Sequence, residues 1–169
     1  MSLESKMNLY DYIVDVPDWP KKGIVFKDIT PLLRDNNALE HASLSMKGLL
    51  DSGVGIAAIV GIEARGFIFG AHLAKRMGVG FIPVRKKGKL PPPVISKEYE
   101  LEYGKDTLEI KNDEDGLTKV IIVDDVYATG GTAKATRELC QEAGYEVVDE
   151  IYLINLGFLN KDKVKSVLT

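Results

Sequence analysis

The alternation of short apolar runs with helical patterns constrains the fold of this chain more than any other feature. Runs that read as strands cover residues 56–60, 79–84, 119–123 and 146–156, and the first is apolar throughout, as in strands buried on both faces. Helical patterns cover residues 36–50, 67–77 and 132–143, and each has a glycine at or shortly after its end. This order predicts an α/β fold with a mostly parallel central sheet flanked by helices.

Two segments interrupt the alternation between residues 84 and 119. Arg85, Lys86, Lys87 and Lys89 surround a glycine and precede three prolines, and residues 98–110 alternate partly with a period of two. The second segment predicts a hairpin-like pair of strands. An insertion of about thirty residues in a compact domain is usually functional or disordered. The length of 169 residues fits one domain with a sizeable core.

The stretch VIIVDDVYATGGT, residues 120–132, carries the clearest chemical signal. Asp124 and Asp125 follow an apolar strand, and the carboxyl end of a parallel strand is where α/β proteins bind ligands. The loop that opens the next helix contains Ala128, Thr129, Gly130, Gly131 and Thr132. Glycines expose backbone N–H groups, threonines add donors, and a helix N-terminus carries partial positive charge. These features predict a phosphate-binding loop. The two aspartates by themselves have a simpler interpretation, in which one caps a turn and the other is solvated.

The loop differs from the common nucleotide-binding motifs. It lacks the Gly-Lys-Ser/Thr ending of a Walker loop and the spacing of Gly-x-Gly-x-x-Gly. Two carboxylates beside a phosphate loop suit a sugar phosphate, whose vicinal hydroxyls can donate to them. The whole stretch resembles the signature for 5-phosphoribosyl-1-pyrophosphate (PRPP) of the type I phosphoribosyltransferases.

Further blocks resemble the adenine phosphoribosyltransferases within that family. Residues 17–33 resemble their N-terminal hood, residues 61–70 their pyrophosphate-binding turn, and residues 85–91 their mobile catalytic loop. Residues 101–105, LEYGK, resemble the strand that returns from that loop. The resemblance implies one phosphoribosyltransferase domain over residues 1–169, with a hood at about 1–34 and a mobile loop with its return strand at about 85–105.

The resemblance also implies roles for individual residues. Phe26 would stack on the purine while the backbones of Val25 and Lys27, the latter replacing a common arginine, read its edge. Pyrophosphate would contact Glu63, Ala64, Arg65 and Arg85, with Lys87 and Lys89 closing over it as a lid. Asp124 and Asp125 would hold the ribose hydroxyls, residues 128–132 the 5-phosphate, and Glu102 would handle the purine proton. Mg²⁺ would be held mainly through PRPP, without direct protein ligation.

Simpler interpretations of the same residues stay open at this stage. Arg65 could pair with Glu63 at the surface, and the cations of residues 85–89 could be a solvated loop. Phe26 could belong to the core. Glu102 could be an ordinary exposed glutamate, like Glu98.

The resemblance implies transfer of the phosphoribosyl group from PRPP to adenine, which gives AMP and pyrophosphate, by a homodimer. The alternatives are a transferase for 6-oxopurines or xanthine, and a regulatory protein that binds PRPP without catalysis. A net charge of −3 argues against nucleic acid as a partner, and no apolar run is long enough to span a membrane. A single cysteine, Cys140, suits the cytoplasm, and neither histidine has partners spaced for zinc.

Overall fold

A seven-stranded sheet organises the part of the chain described by the computed structural model, residues 7–51, 55–101, 104–116 and 118–169. The strand order is β5-β6-β4-β3-β7-β8-β9, and a separate antiparallel pair, β1-β2, lies in the N-terminal segment. Strands β4, β3, β7, β8 and β9 are parallel to their neighbours in that order. Strands β5 and β6 form an antiparallel hairpin on the edge of β4.

The elements follow one another along the chain as a short 3₁₀ helix, nine strands and four helices within the described residues. The strands are β1 Val14–Pro17, β2 Val25–Asp28, β3 Ala58–Ile62, β4 Gly80–Lys86, β5 Ile95–Leu101, β6 Gly104–Ile110, β7 Lys119–Tyr127, β8 Glu146–Asn155 and β9 Lys165–Leu168. The helices are α1 Thr30–Arg34, α2 Asn36–Gly48, α3 Arg65–Met77 and α4 Gly131–Glu142, and the 3₁₀ helix is Leu9–Tyr12.

Both faces of the sheet are buried, and β7 shows how one strand supplies both cores. Its side chains alternate, so that Ile121 and Val123 pack with the helices α2 and α3, whereas Val120 and Ile122 pack with α4. All four of these side chains are inaccessible to solvent. An apolar residue at every position is therefore required here, which explains why the sequence of this strand lacks polar alternation.

The predicted α/β architecture is confirmed, and its element boundaries shift by a few residues. The largest shift is in β7, which continues four residues past the predicted end at Val123 and so includes both aspartates. Val126 and Tyr127 still pair with Ile154 and Asn155 of β8, which extends the strand.

The segment predicted to hold the mobile loop and its return strand, at about 85–105, includes the end of β4 and all of β5. Arg85 and Lys86 end β4, and the connection to β5 covers only residues 87–94. The predicted hairpin is present as β5 and β6. None of the helices in the described ranges is long and apolar enough to cross a membrane.

Candidate active site

Three neighbouring parallel strands, β4, β3 and β7, end at the same edge of the sheet. Arg85 lies near the end of β4, Glu63 follows β3, and Asp124 and Asp125 lie near the end of β7. Because β3 lies between β4 and β7, the turn that follows it can reach both neighbours. This is the edge at which open α/β sheets bind their ligands.

The predicted phosphate loop follows β7 directly. Gly130 has a φ of +85° and stands at the N-cap of α4, where a side chain on Gly130 would also meet the Tyr127 hydroxyl oxygen at 2.5 Å. A glycine is therefore required both by the backbone conformation and by the space available. No side chain among the described residues caps α4, and its first residues line a small pocket of about 50 Å³ together with Asp124. Such a helix terminus suits an anion.

The two aspartates lie in different surroundings. Asp124 Oδ1 accepts a hydrogen bond from the backbone N–H of Asp125 at 2.9 Å. The backbone of α3 approaches Asp124 so closely that a Cβ on Gly66 would lie 2.7 Å from Asp124 Oδ1. Burial, and then the charge of Asp125, raise the pKa of Asp124 well above its usual value. Burial also raises the pKa of Asp125, although the nearby Arg65 opposes this shift.

Arg65 connects β7 to the N-terminal segment. Its Nε lies 2.8 Å from Asp125 Oδ2, and its Nη1 donates to the backbone oxygen of Lys27 at 3.2 Å. Its guanidinium carbon lies 4.7 Å from the ring centroid of Phe26, a cation–π contact. The suggested surface pair of Arg65 with Glu63 is therefore wrong, since Arg65 pairs with Asp125.

The contact between Arg65 and Asp125 is an ion pair without an aligned hydrogen bond. Asp125 Oδ2 is buried and has no hydrogen-bond partner among the residues that the structure describes. A buried carboxylate oxygen without a hydrogen bond is costly, and a donor from a ligand would relieve that cost.

Glu63 pairs with Arg85 instead. Arg85 Nε and Nη2 each lie 3.2 Å from a different oxygen of Glu63, and the backbone N–H of Lys86 donates to Oε2 at 2.9 Å. The hydrogen bond from Arg85 lowers the pKa of Glu63. This bidentate pair fixes the turn after β3, which contains a cis Glu63–Ala64 peptide bond, against the end of β4.

The cations after β4 form an exposed turn. Lys87 and Lys89 are exposed, and the backbone N–H of Gly88 between them donates to Glu109 Oε2 at 2.9 Å. Glu109 is a buried carboxylate on β6, and its sequence context does not distinguish it from the other glutamates nearby. The turn is therefore fixed through its backbone, while both lysine side chains stay available to solvent.

The N-terminal segment brings Phe26 to this edge through its contact with Arg65. Phe26 also packs edge-on against Trp19, with ring centroids 4.5 Å apart. Lys27 Nζ bonds to Asp15 across the β1-β2 pair at 2.7 Å, so this side chain serves the segment itself. Val25 is exposed at the start of β2. Glu102, the predicted proton-transfer group, lies outside the described residues.

Two further residues, in the connection between β8 and β9, contact the end of β7 and the predicted phosphate loop. Asn160 Nδ2 donates to the Ala128 backbone oxygen at 2.6 Å, and the Tyr127 hydroxyl donates to Asp162 Oδ2 at 2.7 Å. Burial and Asp162 raise the pKa of Tyr127 to about 12. No local sequence pattern marks either residue, because both contacts join distant parts of the chain.

The site offers oxygen ligands but no closed metal cage. No group of three acidic, histidine or cysteine side chains in the described ranges is arranged to hold a metal ion. Mg²⁺ commonly keeps several waters and binds through one or two carboxylates plus substrate phosphates. Two neighbouring carboxylates, Asp124 and Asp125, are too few to hold the ion by themselves, so Mg²⁺ would depend mainly on the oxygens of PRPP.

Known proteins share both the sequence and the fold. The family of the phosphoribosyl transferase domain matches residues 33–167. The adenine phosphoribosyltransferase of Thermosipho africanus is 52% identical over 155 residues, which cover 91% of each chain. The crystal structure of the enzyme from Thermoanaerobacter pseudethanolicus has a TM-score of 0.87 at 46% identity, covering 95% of this chain and 99% of that one. The Saccharomyces cerevisiae enzyme, complexed with an iminoalditol bisphosphate and adenine, has a TM-score of 0.86 at 38% identity and covers 94% of each chain.

The family match, together with the parallel sheet and the acidic strand end, places the chain among the phosphoribosyltransferases of type I. The relatives identify the family within that class, because they match over nearly the whole chain and are adenine phosphoribosyltransferases. The chain belongs to the adenine phosphoribosyltransferase family.

Proposed function

We propose that this chain transfers the 5-phosphoribosyl group of PRPP to adenine, with the ribose and its phosphate held at the end of β7. The observation that carries the proposal is that Asp124 and Asp125 lie near the end of β7, whose following loop leads into the N-terminus of α4, which no described side chain caps. The carboxylates can accept hydrogen bonds from hydroxyl groups, and the helix terminus can bind a phosphate. Ribose 5-phosphate carries both kinds of group in one molecule. The relatives named above support adenine as the acceptor over a 6-oxopurine, and support catalysis over PRPP binding alone.

The acidic pair has two tasks in this mechanism. Asp125 Oδ2 takes a hydrogen bond from a ribose hydroxyl, which satisfies a buried oxygen that has no hydrogen-bond partner among the described residues. As the bond between the anomeric carbon and pyrophosphate breaks, positive charge develops on the sugar. The carboxylates of Asp124 and Asp125 then stabilise that charge from a partly desolvated position.

Cations stabilise the leaving group. Arg65 exchanges its contact with Asp125 for the pyrophosphate when PRPP occupies the site, and the exposed Lys87 and Lys89 close over it. Arg85 stays paired with Glu63 and holds the turn that carries Ala64 and Arg65. Mg²⁺, if bound with PRPP, would supply further charge neutralisation at the pyrophosphate.

The purine lies against Phe26, whose position Trp19 and Arg65 support. The backbones of Val25 and Lys27 read the edge of adenine, so the replacement of a common arginine by Lys27 leaves recognition intact. Glu102 accepts the proton that adenine loses as its nitrogen attacks the anomeric carbon.

A homodimer in the cytoplasm completes the proposal. The exposed apolar side chains of Leu44 and Ile68, on the neighbouring helices α2 and α3, suit an interface between two copies. Cys140 is buried and unpaired, which suits a reducing compartment. Light scattering coupled to size-exclusion chromatography measures the mass, and a monomer at micromolar concentration would contradict the dimer.

A purine panel tests the central claim. The purified chain is assayed with PRPP and Mg²⁺ against adenine, hypoxanthine, guanine and xanthine, with pyrophosphate release and nucleotide formation measured together. We expect AMP and pyrophosphate in equal amounts. Faster formation of IMP or GMP would assign another purine, and PRPP binding without pyrophosphate release would indicate a regulatory protein.

A further inference from the structure

The phosphate loop must turn its backbone carbonyl groups away from the anion that it binds. An inward carbonyl oxygen would repel a phosphate, whereas an inward N–H would bind it. The Tyr127 oxygen accepts from the backbone N–H of Leu156 at 2.8 Å, and the Gly130 oxygen accepts from that of Lys134 at 2.9 Å. Each of these two carbonyls is thus held by a backbone donor outside the loop.

The Ala128 carbonyl, which lies between them, is held by a side chain. Asn160 Nδ2 donates to it at 2.6 Å, the shortest of three contacts made by that amide nitrogen. The other two are to Asn155 Oδ1 at 3.0 Å and to the Leu156 oxygen at 3.1 Å. Asn155 is buried, so the amide of Asn160 connects the loop to a fixed point at the end of β8.

The second end of the Asn160 amide is also fixed. Its Oδ1 accepts from the backbone N–H of Asp162 at 3.0 Å, and Asp162 in turn accepts from the Tyr127 hydroxyl at 2.7 Å. That hydroxyl lies under Gly130, where a Cβ would come within 2.5 Å of it. The orientation of Asn160 is therefore set from both sides, as expected of a group that orients another.

We propose that Asn160 is a positioning residue for the 5-phosphate subsite. It holds the Ala128 carbonyl outward, so that the first N–H groups of α4 and its loop face the phosphate. The inference rests on the proposed function of this loop and adds a residue 32 positions away in sequence. Asn160 acts through the loop and does not itself touch the phosphate.

Two inhibitors separate this role from a general structural one. Ribose 5-phosphate occupies the 5-phosphate subsite, whereas pyrophosphate occupies the leaving-group subsite. For Asn160→Ala we expect the Ki of ribose 5-phosphate and the KM of PRPP to rise about tenfold, the order expected from losing an oriented hydrogen bond. The Ki of pyrophosphate and the KM of adenine should stay within about twofold, since those subsites are built from other strand ends.

Two further variants complete the test. Asn160→Asp keeps the size of the side chain and the oxygen that binds Asp162, but it has no N–H to donate to Ala128. If Asn160→Ala folds poorly, Asn160→Asp should still raise the Ki of ribose 5-phosphate and leave the Ki of pyrophosphate nearly unchanged. Asn112→Ala makes the same truncation in an exposed loop before β7 and should change neither inhibitor. Unchanged ribose 5-phosphate binding in both Asn160 variants, or an equal loss for both inhibitors, would overturn the proposal.

A loop variant distinguishes failure of this proposal from failure of the loop assignment itself. Gly130→Ala places a side chain where φ is +85° and the Tyr127 hydroxyl is in the way, so it should weaken ribose 5-phosphate binding. If Gly130→Ala weakens binding and the Asn160 variants do not, Asn160 has no positioning role while the loop keeps its assignment. If none of them weakens binding, the phosphate lies elsewhere and both proposals fail.

Discussion

Arg65 Nε lies 2.8 Å from the buried Asp125 Oδ2, while the same guanidinium lies over the ring of Phe26. One side chain thus joins the strand proposed to bind ribose to the segment proposed to bind the purine. Since Arg65 also donates to the Lys27 backbone oxygen, its position affects both substrates. It is the described residue whose replacement should disturb the site most broadly.

Replacement of Arg65 by lysine should lower kcat/KM for PRPP about 100-fold, the scale seen when one preorganised donor is lost from a transition state. Lysine keeps the charge but loses the planar fork and the stacking surface. Steady-state kinetics with each substrate varied in turn measures the effect. Arg76→Lys on the same helix, where the partly buried Arg76 pairs with Glu40, is the matched control. A change of less than threefold in Arg65→Lys would reduce Arg65 to a structural role.

The buried carboxylate of Asp124 should lower the free energy of unfolding at neutral pH, although the proposed reaction requires its charge. Burial raises its pKa, so the folded state binds a proton more readily than the unfolded state, and stability falls as pH rises through the folded pKa. At pH 7 Asp124→Asn should therefore raise Tm, by about 2–4 °C for each kcal/mol gained in a domain of this size. The same variant should lose most activity, because an amide lacks the negative charge that the developing sugar cation requires.

Thermal unfolding across pH tests the cause of that gain. The difference in Tm between Asp124→Asn and the parent chain should shrink as pH falls toward 3.8, the usual value for an aspartate. Asp115→Asn, an exposed substitution in the loop before β7, is the control. A Tm at pH 7 that falls in Asp124→Asn would show that the carboxylate stabilises the fold.

The pair of Glu63 and Arg85 should stabilise the turn after β3, and its pH dependence should be opposite to that of Asp124. Its hydrogen bonds lower the pKa of Glu63, so its contribution is present above the usual value of 4.5 and is lost as pH falls through the folded pKa. The side chains are 14% and 32% exposed, and we expect about 1 kcal/mol at pH 7 for such a partly screened pair.

A double-mutant cycle with Glu63→Gln and Arg85→Gln isolates that contribution. Urea unfolding at pH 7 should give a favourable coupling free energy, and the coupling should fade below pH 4.5. Coupling that persists unchanged at pH 3 would mean that the interaction is not between a carboxylate and a guanidinium. The Lys105–Glu98 pair, exposed on the β5-β6 hairpin, provides a surface cycle for comparison and should couple more weakly.

The sequence predicts the architecture well because the determining signals are local. Because the run before Asp124, residues 120–123, is buried on both faces, every position in it is apolar. The turn into α4 requires the backbone conformation that glycine adopts. The end of β7 was misjudged for a physical reason. Two carboxylates interrupt the apolar pattern, yet Val126 and Tyr127 continue the pairing with β8.

The side-chain partners could not be predicted, because they depend on which strand ends become neighbours. Glu63 and Arg85 are 22 residues apart, and Asn160 lies 32 residues from the carbonyl that it holds. The order β4-β3-β7 brings Glu63 and Arg85 together, whereas the connection between β8 and β9 brings Asn160 to the residue after β7. The same reason made a local pair of Arg65 with Glu63 a reasonable, though wrong, alternative.

Glu102 is the proposed acceptor of the purine proton, a role inferred from the family resemblance. Glu102→Gln keeps the size but removes the base, so kcat should fall about 10²–10⁴-fold while the KM of PRPP changes little. The acid limb of the pH profile of kcat should disappear with the carboxylate. Glu98→Gln, at an exposed position on β5, is the control and should retain full turnover. Unchanged kcat in Glu102→Gln would assign the proton to another group or to solvent, and would leave the roles of Asp124 and Asp125 intact.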